Sequence, residues 1–159
     1  DLHIHDCDYA NWVLGSPKEV FAWGVRSASR SWDHIFTEVR YQEAVASIQG
    51  GWMMKGDFPF TCGYRILGEK GILEWTFRAG VNIEERSQSN PIFLYRDGAE
   101  REKIEVTSED PYCLELRYFF DCVEKGMPVQ QGTPEQAILA LKVALAAQTA
   151  SETNAVVRL

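Results

Sequence analysis

The sequence predicts an α+β fold built on an open, predominantly antiparallel β-sheet with helices packed on one of its faces. Three observations lead to this class. Apolar residues recur at helical spacing near both ends of the chain, and the stretch from Val20 to Val106 consists of short runs rich in branched and aromatic residues. Turn sequences join several of these runs directly, and strands connected so tightly pair antiparallel.

Length, charge and cysteine content limit the class of protein. The 159 residues are near the commonest size of a single domain and predict one compact unit spanning 1–159. A formal net charge of −7 disfavours nucleic acid as a partner, and no run of about 18 apolar residues offers a membrane span. Four widely spaced cysteines without a CxxC pair fit a reducing compartment, so we expect a cytoplasmic protein. Because neither an initiator methionine nor a signal peptide opens the chain, we expect a piece of a longer protein.

The opening stretch DLHIHDCDYANWVLG predicts a helix over residues 2–14. Gly15 can adopt the left-handed conformation that closes a last turn, and Pro17 is a helix breaker just beyond it. The alternative is an extended strand, in which His3 and His5 point the same way and resemble the HxH metal pair of a hydrolase. On a helix these two side chains lie about 160° to 200° apart and cannot share one ion.

The middle of the chain predicts strands in seven runs: VFAWGV, IFTEVRY, AVASIQGGWMM, YRILG, GILEWTF, IFLYR and KIEV. In IFTEVRY, alternation places one set of side chains on a common face: Ile35, Thr37, Val39 and Tyr41. The sequences GEKG at 68–71 and DG at 97–98 are typical hairpin turns. The polar stretches 27–32 and 85–90 are expected to be loops.

Two helices are predicted near the end of the chain. In the first, over 111–125, Asp110 caps the start, Gly126 suits the exit, and four apolar residues form a stripe: Tyr112, Leu116, Phe119 and Val123. In the second, over 133–152, Thr133 and Gln136 form a capping box, and an alanine-rich flank accompanies three residues expected to be buried: Ile138, Leu141 and Leu145.

These two helices can cover only one face of the sheet. The strands also carry four tryptophans: Trp23, Trp32, Trp52 and Trp75. An apolar sheet face left open usually marks an interface, so we expect the other face to be used for oligomerisation, in a homodimer or homotetramer. The alternative is that these tryptophans are half-buried core residues.

Acidic and histidine side chains in the first helix predict a site. At helical spacing, Asp1, His5, Asp8 and Trp12 share one narrow stripe. Asp1, one turn before His5, can hold the imidazole in place, and Asp8 can accept hydrogen bonds from substrate hydroxyls, which suits general acid and base work on an alcohol or carbonyl. The alternative is that the aspartates only cap the helix and complement its dipole. His3 faces away from this stripe, so a His3→Ala variant is expected to be a control for His5.

The opening stretch resembles the start of the C-terminal domain in the Gfo/Idh/MocA family of NAD(P)-dependent oxidoreductases. Three further stretches are similar to that domain. GYRILGEKGILEW resembles its strand, turn and strand at mid-domain, YCLELRYFFDCVEKG its YxxExxxFxxCxxxG helix, and TPEQAILALKVALAAQTAS its closing alanine-rich helix. The resemblance covers essentially all 159 residues in the family's order.

The resemblance implies roles for particular residues. The family's DxxxH pair falls on Asp1 and His5, so that His5 accepts the proton of a substrate hydroxyl and Asp1 supports it. Asp8 is similar to an aspartate that binds sugar or polyol hydroxyls, with Trp12 beside it. Phe58 and Phe60 also fall in the substrate region, where some polyol-using relatives place tyrosines, which argues against a plain cyclitol substrate.

The resemblance also implies what this chain leaves to another domain. The family binds NAD or NADP in an N-terminal Rossmann domain, and neither its GxGxxG motif nor its EKP lysine occurs here. We therefore expect a substrate-binding and oligomerisation domain of an oxidoreductase acting on a sugar or polyol, with no cofactor or metal site and no activity of its own. The alternatives are a non-catalytic dimerisation or ligand-binding module and, last, an HxH metallohydrolase with only three histidines: His3, His5 and His34.

Overall fold

The computed structural model of the chain describes residues 2–27, 31–79, 91–106 and 109–159. In chain order its elements are α1 (Leu2–Leu14), β1 (Glu19–Arg26), β2 (Trp32–Arg40), β3 (Val45–Gly51), β4 (Thr61–Gly68), β5 (Gly71–Arg78), β6 (Ile92–Tyr95), β7 (Glu102–Ile104), α2 (Pro111–Lys125), α3 (Pro134–Thr153) and β8 (Val157–Arg158). The predicted α+β class with antiparallel strands is confirmed. The predicted loop at 85–90 and residues 28–30 of the other loop lie outside the described residues.

The chain forms two compact units rather than the single one expected from its length. Unit 1 comprises the described residues of Asp1–Met54 and Met127–Leu159, and unit 2 comprises those of Lys55–Gly126. Each unit contains a four-stranded antiparallel sheet, in the order β3-β2-β1-β8 in unit 1 and β4-β5-β6-β7 in unit 2.

The sheet of unit 1 shows the predicted alternation. The inner face expected for IFTEVRY is buried at all four positions: Ile35, Thr37 and Val39 of β2, and Tyr41 directly after it. Phe36, on the other face of the same strand, is exposed. Strand β8, which pairs with Glu19 and Val20, was not predicted, because two residues are too few to show a period.

Helix α1 spans the predicted residues. Gly15 adopts a φ of +87°, and its amide donates to the carbonyl oxygen of Asn11 at 2.8 Å, which closes the last turn. Because residues 2–14 are helical, the strand interpretation of His3 and His5 is wrong.

Helices α1 and α3 cover one face of this sheet. We predicted that the helices over 111–125 and 133–152 would do so, and this is right only for the second of them. The buried side of α3 is its small-residue face: Ala140, Val143, Ala146, Ala147 and Ala150. The three residues expected there, Ile138, Leu141 and Leu145, are 53%, 47% and 53% exposed. Both sides of α3 are apolar, and the close approach to a sheet selects the side with the smaller residues.

Unit 2 contains both predicted hairpins. The GEKG turn joins β4 to β5, and Gly98, at a φ of +72°, lies in the turn between β6 and β7. The Asp110 carboxylate accepts from the Tyr112 and Cys113 amides, and Gly126 closes α2 with a φ of +60°, as predicted. The predicted apolar stripe of α2 is exposed at every position, together with Phe120: Tyr112, Leu116, Phe119 and Val123.

The four tryptophans were predicted to lie either on an open, interface-forming sheet face or half-buried in the core, and two of them fit each interpretation. Trp32 and Trp75 are half-buried, whereas Trp23 and Trp52 in unit 1 are 60% and 64% exposed. Trp23 lies directly opposite the exposed Phe36 in the β1–β2 register. The face of this sheet that α1 and α3 leave uncovered therefore carries large apolar side chains.

Candidate active site

The outward side of α1 carries the predicted site residues. His5, Asp8 and Trp12 are all exposed, at positions i, i+3 and i+7 of the helix, where side chains stand above one another. Trp12 is 65% exposed, and its ring centroid lies 6.0 Å from that of Tyr9. Asp1, the fourth predicted member, lies outside the described residues. The structure thus presents an imidazole, a carboxylate and an indole along one accessible helix face.

The inward side of α1 is held by His3. Its Nε2 lies 2.9 Å from the hydroxyl oxygen of Thr37, a fully buried residue of β2. Burial lowers the pKa of His3 to about 4, so the ring is neutral near pH 7. This contact fixes the rotation of the helix and directs His5 away from the sheet. His3 therefore has a structural role, and His3→Ala is not the silent control that the sequence suggested.

A second polar contact holds the other end of α1. The Tyr41 hydroxyl donates to Asn11 Oδ1 at 2.9 Å, and burial raises the pKa of Tyr41 to about 12, so the phenol keeps its proton. The amide nitrogen of Asn11 is buried and has no hydrogen-bond partner among the described residues. A buried donor left without an acceptor costs about 1–3 kcal/mol.

The remaining ionisable groups of α1 do not favour a nucleophile. Burial raises the pKa of Cys7 to about 12, and the charges of Asp6 and Asp8 act in the same direction. The thiol is therefore protonated and inert at neutral pH. Burial also raises the pKa of Asp6, against the opposing charge of His5. Of the groups on α1, the exposed His5 is the one suited to moving a proton to or from a bound molecule.

A cleft of about 290 Å³ lies between α1 and the start of α3. Its lining residues are Asp8, Asn11 and Trp12 of α1, Gln131 and Gly132 of the preceding segment, and Gln136 and Leu139 of α3. The predicted capping box shapes this wall, because the Thr133 amide donates to Gln136 Oε1 at 2.9 Å and the Gln136 amide donates to Thr133 Oγ1 at 3.3 Å. The sequence predicted only a capping role for Gln136 and no role for Gln131, Gly132 or Leu139. Asn11, a polar residue on the side of α1 that becomes buried, was the one signal in the sequence that a polar site lies beside this helix.

Phe58 and Phe60 belong to unit 2. Both are exposed and lie in the segment that leads into β4. The Arg78 guanidinium lies 5.6 Å from the centroid of the Phe58 ring, and the Phe60 ring lies 6.4 Å from that of Phe77. These contacts describe a local aromatic cluster, and a role of the two residues in substrate binding stays a prediction.

The histidines do not assemble into a metal site. His3 bonds to Thr37, and His34 bonds through Nε2 to the side-chain amide of Gln49 at 2.9 Å. Within the described ranges, no group of three or more potential ligand side chains lies close enough to hold a metal ion. In the same part of the chain, every strand pair is antiparallel, so it contains no βαβ dinucleotide site, and no helix is both long and apolar enough to cross a membrane.

Known proteins share this architecture. A family model described as "Oxidoreductase family, C-terminal alpha/beta domain" matches residues 1–159. Among solved structures, aldose-aldose oxidoreductase from Caulobacter crescentus, complexed with glycerol, has a TM-score of 0.80 at 17% identity, over 99% of this chain and 46% of its own. UDP-N-acetylglucosamine 3-dehydrogenase GnnA from Acidithiobacillus ferrooxidans has a TM-score of 0.77 at 19% identity, over 96% and 46%.

A third similar structure is an oxidoreductase from Agrobacterium radiobacter in complex with NAD+, L-tartaric acid and magnesium, with a TM-score of 0.73 at 16% identity, over 99% of this chain and 48% of its own. At these identities the likeness establishes the fold alone. The chain spans about half the length of these solved structures. No curated protein sequence matches it.

Proposed function

The chain belongs to the Gfo/Idh/MocA oxidoreductase family, whose C-terminal domain it matches from end to end, and from this premise we propose a function. Residues 1–159 are the substrate-binding and oligomerisation domain of an NAD(P)-dependent oxidoreductase that acts on the CH–OH group of a sugar, sugar derivative or polyol. The observation that carries this proposal is the exposed row of His5, Asp8 and Trp12 on α1, since it offers a proton acceptor beside a hydroxyl-binding carboxylate.

Each side chain of this row has a defined task. The imidazole of His5 takes the hydroxyl proton when the substrate is oxidised and returns it in the reverse direction. The Asp8 carboxylate accepts hydrogen bonds from neighbouring hydroxyls, and the Trp12 ring packs against the apolar face of the substrate. Asp1 has the supporting role that the family's DxxxH pair assigns to it.

NAD or NADP supplies hydride chemistry when bound to a Rossmann domain outside this chain. Phe58 and Phe60 contribute apolar contacts on the substrate side. The named relatives support a hydroxylated substrate, because they include an aldose-aldose oxidoreductase complexed with glycerol and an oxidoreductase complexed with NAD+ and L-tartaric acid.

The test is a substitution of His5 in the full-length protein. His5→Ala should lower kcat by about 100-fold to 10,000-fold, the usual effect of losing a general acid or base. Because His5 is exposed, the unfolding midpoint should not change. Val13→Ala, also on the exposed part of α1, is the matched control and should keep normal turnover. Near-normal turnover of His5→Ala would favour the alternative of a non-catalytic binding module.

The open sheet face of unit 1 supports the oligomerisation part of the proposal. Trp23 and Phe36, which lie opposite each other on β1 and β2, form an exposed apolar patch that a second copy of the chain can cover. Light scattering should give a mass at least twice 18.1 kDa at micromolar concentration. Trp23→Arg should shift the protein to the monomer, whereas Trp12→Arg on α1 should not. A monodisperse monomer of the unsubstituted chain would contradict this part of the proposal.

A further inference from the structure

We infer that the cleft between α1 and the start of α3 is a subsite for a second, uncharged sugar unit, beyond the ring whose hydroxyl faces His5. The inference rests on the proposed function, which places the reacting carbon at His5. It adds that the substrate is a disaccharide or glycoside rather than a single sugar.

The length of the site indicates a second unit. His5 and Trp12 are seven residues apart, which corresponds to about 10 Å along a helix axis. The cleft is lined by Asp8, Asn11 and Trp12 but not by His5. A single ring that reacts at His5 reaches Asp8 and leaves the rest of the cleft empty.

Two side chains of the cleft wall, Asn11 and Gln136, have their amide oxygens occupied by other residues of the chain. Asn11 is only 7% exposed, and Tyr41 occupies its carbonyl oxygen, so its buried amide nitrogen faces away from Tyr41 without a partner among the described residues. Gln136 is oriented in the same way, because its Oε1 is occupied by the Thr133 amide. The partly exposed Gln136 therefore offers N–H donors to the cleft, and these match the oxygen atoms of a hydroxylated ring.

The charge of the cleft excludes a phosphate as the preferred group. Among the described residues, the single charged one in the lining is Asp8, and none of the others is lysine, arginine or histidine. A phosphate would be repelled there, whereas sugar hydroxyls can donate to Asp8. The exposed Trp12 ring provides a flat apolar surface for the C–H face of a sugar ring.

The experiment is a binding titration of the 15N-labelled chain, followed through the Trp12 indole and the Asn11 and Gln136 side-chain amide signals. The probes are maltose, cellobiose and lactose, with glucose, galactose and glucose 1-phosphate for comparison. We expect at least one disaccharide to bind more tightly than its single sugars and to shift these three signals. Equal binding of single sugars, or no binding by any disaccharide, would overturn the subsite, and tightest binding of glucose 1-phosphate would overturn its neutral character.

Two variants test the residues without unfolding the chain. Gln136→Glu keeps an oxygen for the capping box but removes the N–H donors, and it should weaken disaccharide binding about 2-fold to 10-fold, as expected for one hydrogen bond. Trp12→Leu should weaken it as well, whereas Trp52→Leu, another exposed tryptophan, is the control and should not. Unchanged affinity in both test variants would overturn the assignment.

Because binding is measured without turnover, this inference and the proposed function fail separately. Disaccharide binding that depends on Gln136, in a protein whose turnover does not need His5, would leave the subsite in place and contradict the enzyme. Turnover of single sugars that depends on His5, without disaccharide binding, would support the proposed enzyme and contradict the subsite.

Discussion

The two units build similar sheets but stabilise them differently. In unit 1, α1 and α3 seal one face, and side chains from both helices and three strands form one buried cluster. In the described part of unit 2, Cys122 is the one buried residue, and the side chains on its strands are at most half-buried. The same secondary structure therefore rests on a fully buried core in unit 1 and on partly exposed packing in the described part of unit 2.

Unit 2 has aromatic and ionic contacts both within and between its strands. The rings of Tyr64 and Trp75 stack at 5.7 Å, and Trp75 and Phe77 stack at 6.4 Å. Arg65 forms an ion pair with Glu74 at 2.8 Å, and the guanidinium lowers the pKa of that carboxyl. Ion pairs this exposed contribute little to stability. The difference suggests that unit 1 carries the stability of the chain and that unit 2 gains from further burial.

The largest expected effect is a difference in unfolding free energy between two alanine variants, one at a strand isoleucine of each unit. Ile35→Ala removes a buried side chain of unit 1 and should lower the free energy of unfolding by about 2–5 kcal/mol. Ile66→Ala, at a half-buried position of unit 2, should cost roughly half as much or less. Urea unfolding of the two variants measures both values. Equal losses would remove the distinction between the units.

The next effect is a pH dependence confined to unit 1. The folded-state pKa of His3 is about 4, below its ordinary 6.5, so its stability contribution is complete above pH 6.5 and is lost as the pH falls toward 4. A shift of this size corresponds to about 3 kcal/mol. Residues 55–126 contain no histidine, so unit 2 lacks this source of pH dependence in that range.

Hydrogen exchange between pH 7 and pH 4.5 tests this difference. Amides of β2 and α1 should lose protection as the pH falls, and those of β4 and β5 should lose much less. His3→Gln, which retains a polar partner for Thr37, should flatten the dependence in unit 1. If the pH dependence of protection in unit 1 persisted in His3→Gln, titratable groups other than His3 would be its source.

The smallest effect concerns the two helix caps. Asp110→Ala and Thr133→Ala each remove a side-chain acceptor at a helix start and should each cost about 1 kcal/mol. For α3, which is packed on a sheet, the loss should appear as a lower unfolding midpoint of unit 1. For α2, whose apolar stripe is exposed, it should appear as faster exchange in its first turn. If both variants lowered the unfolding midpoint, or both only accelerated exchange in the first turn, the two helices would not differ in how they are stabilised.

Local signals explain what the sequence predicted. The alternation in β2 and the glycine turns at 68–71 and 97–98 depend on neighbours in sequence and were found in the structure. The bounds of α1 were predicted for the same reason, because Gly15 marks its end.

The missed features depend on distant partners. Both sides of α3 are apolar, so only the sheet decides that Ala147 is buried and Leu145 exposed. The Tyr41 contact that directs the Asn11 amide joins residues far apart in sequence, and so does the wall formed by Gln136. The sequence therefore predicted the row on α1 but not the cleft beside it.

The alanine face of α3 also sets the dimensions of that cleft from behind. Ala140 is 2% exposed and follows Leu139, a lining residue, while Gln136 lies one turn earlier on the same helix. A bulkier residue at 140 has no free space in the core, so the start of α3, which carries two lining residues, would have to move. A substitution outside the cleft lining can therefore change the dimensions of the cleft.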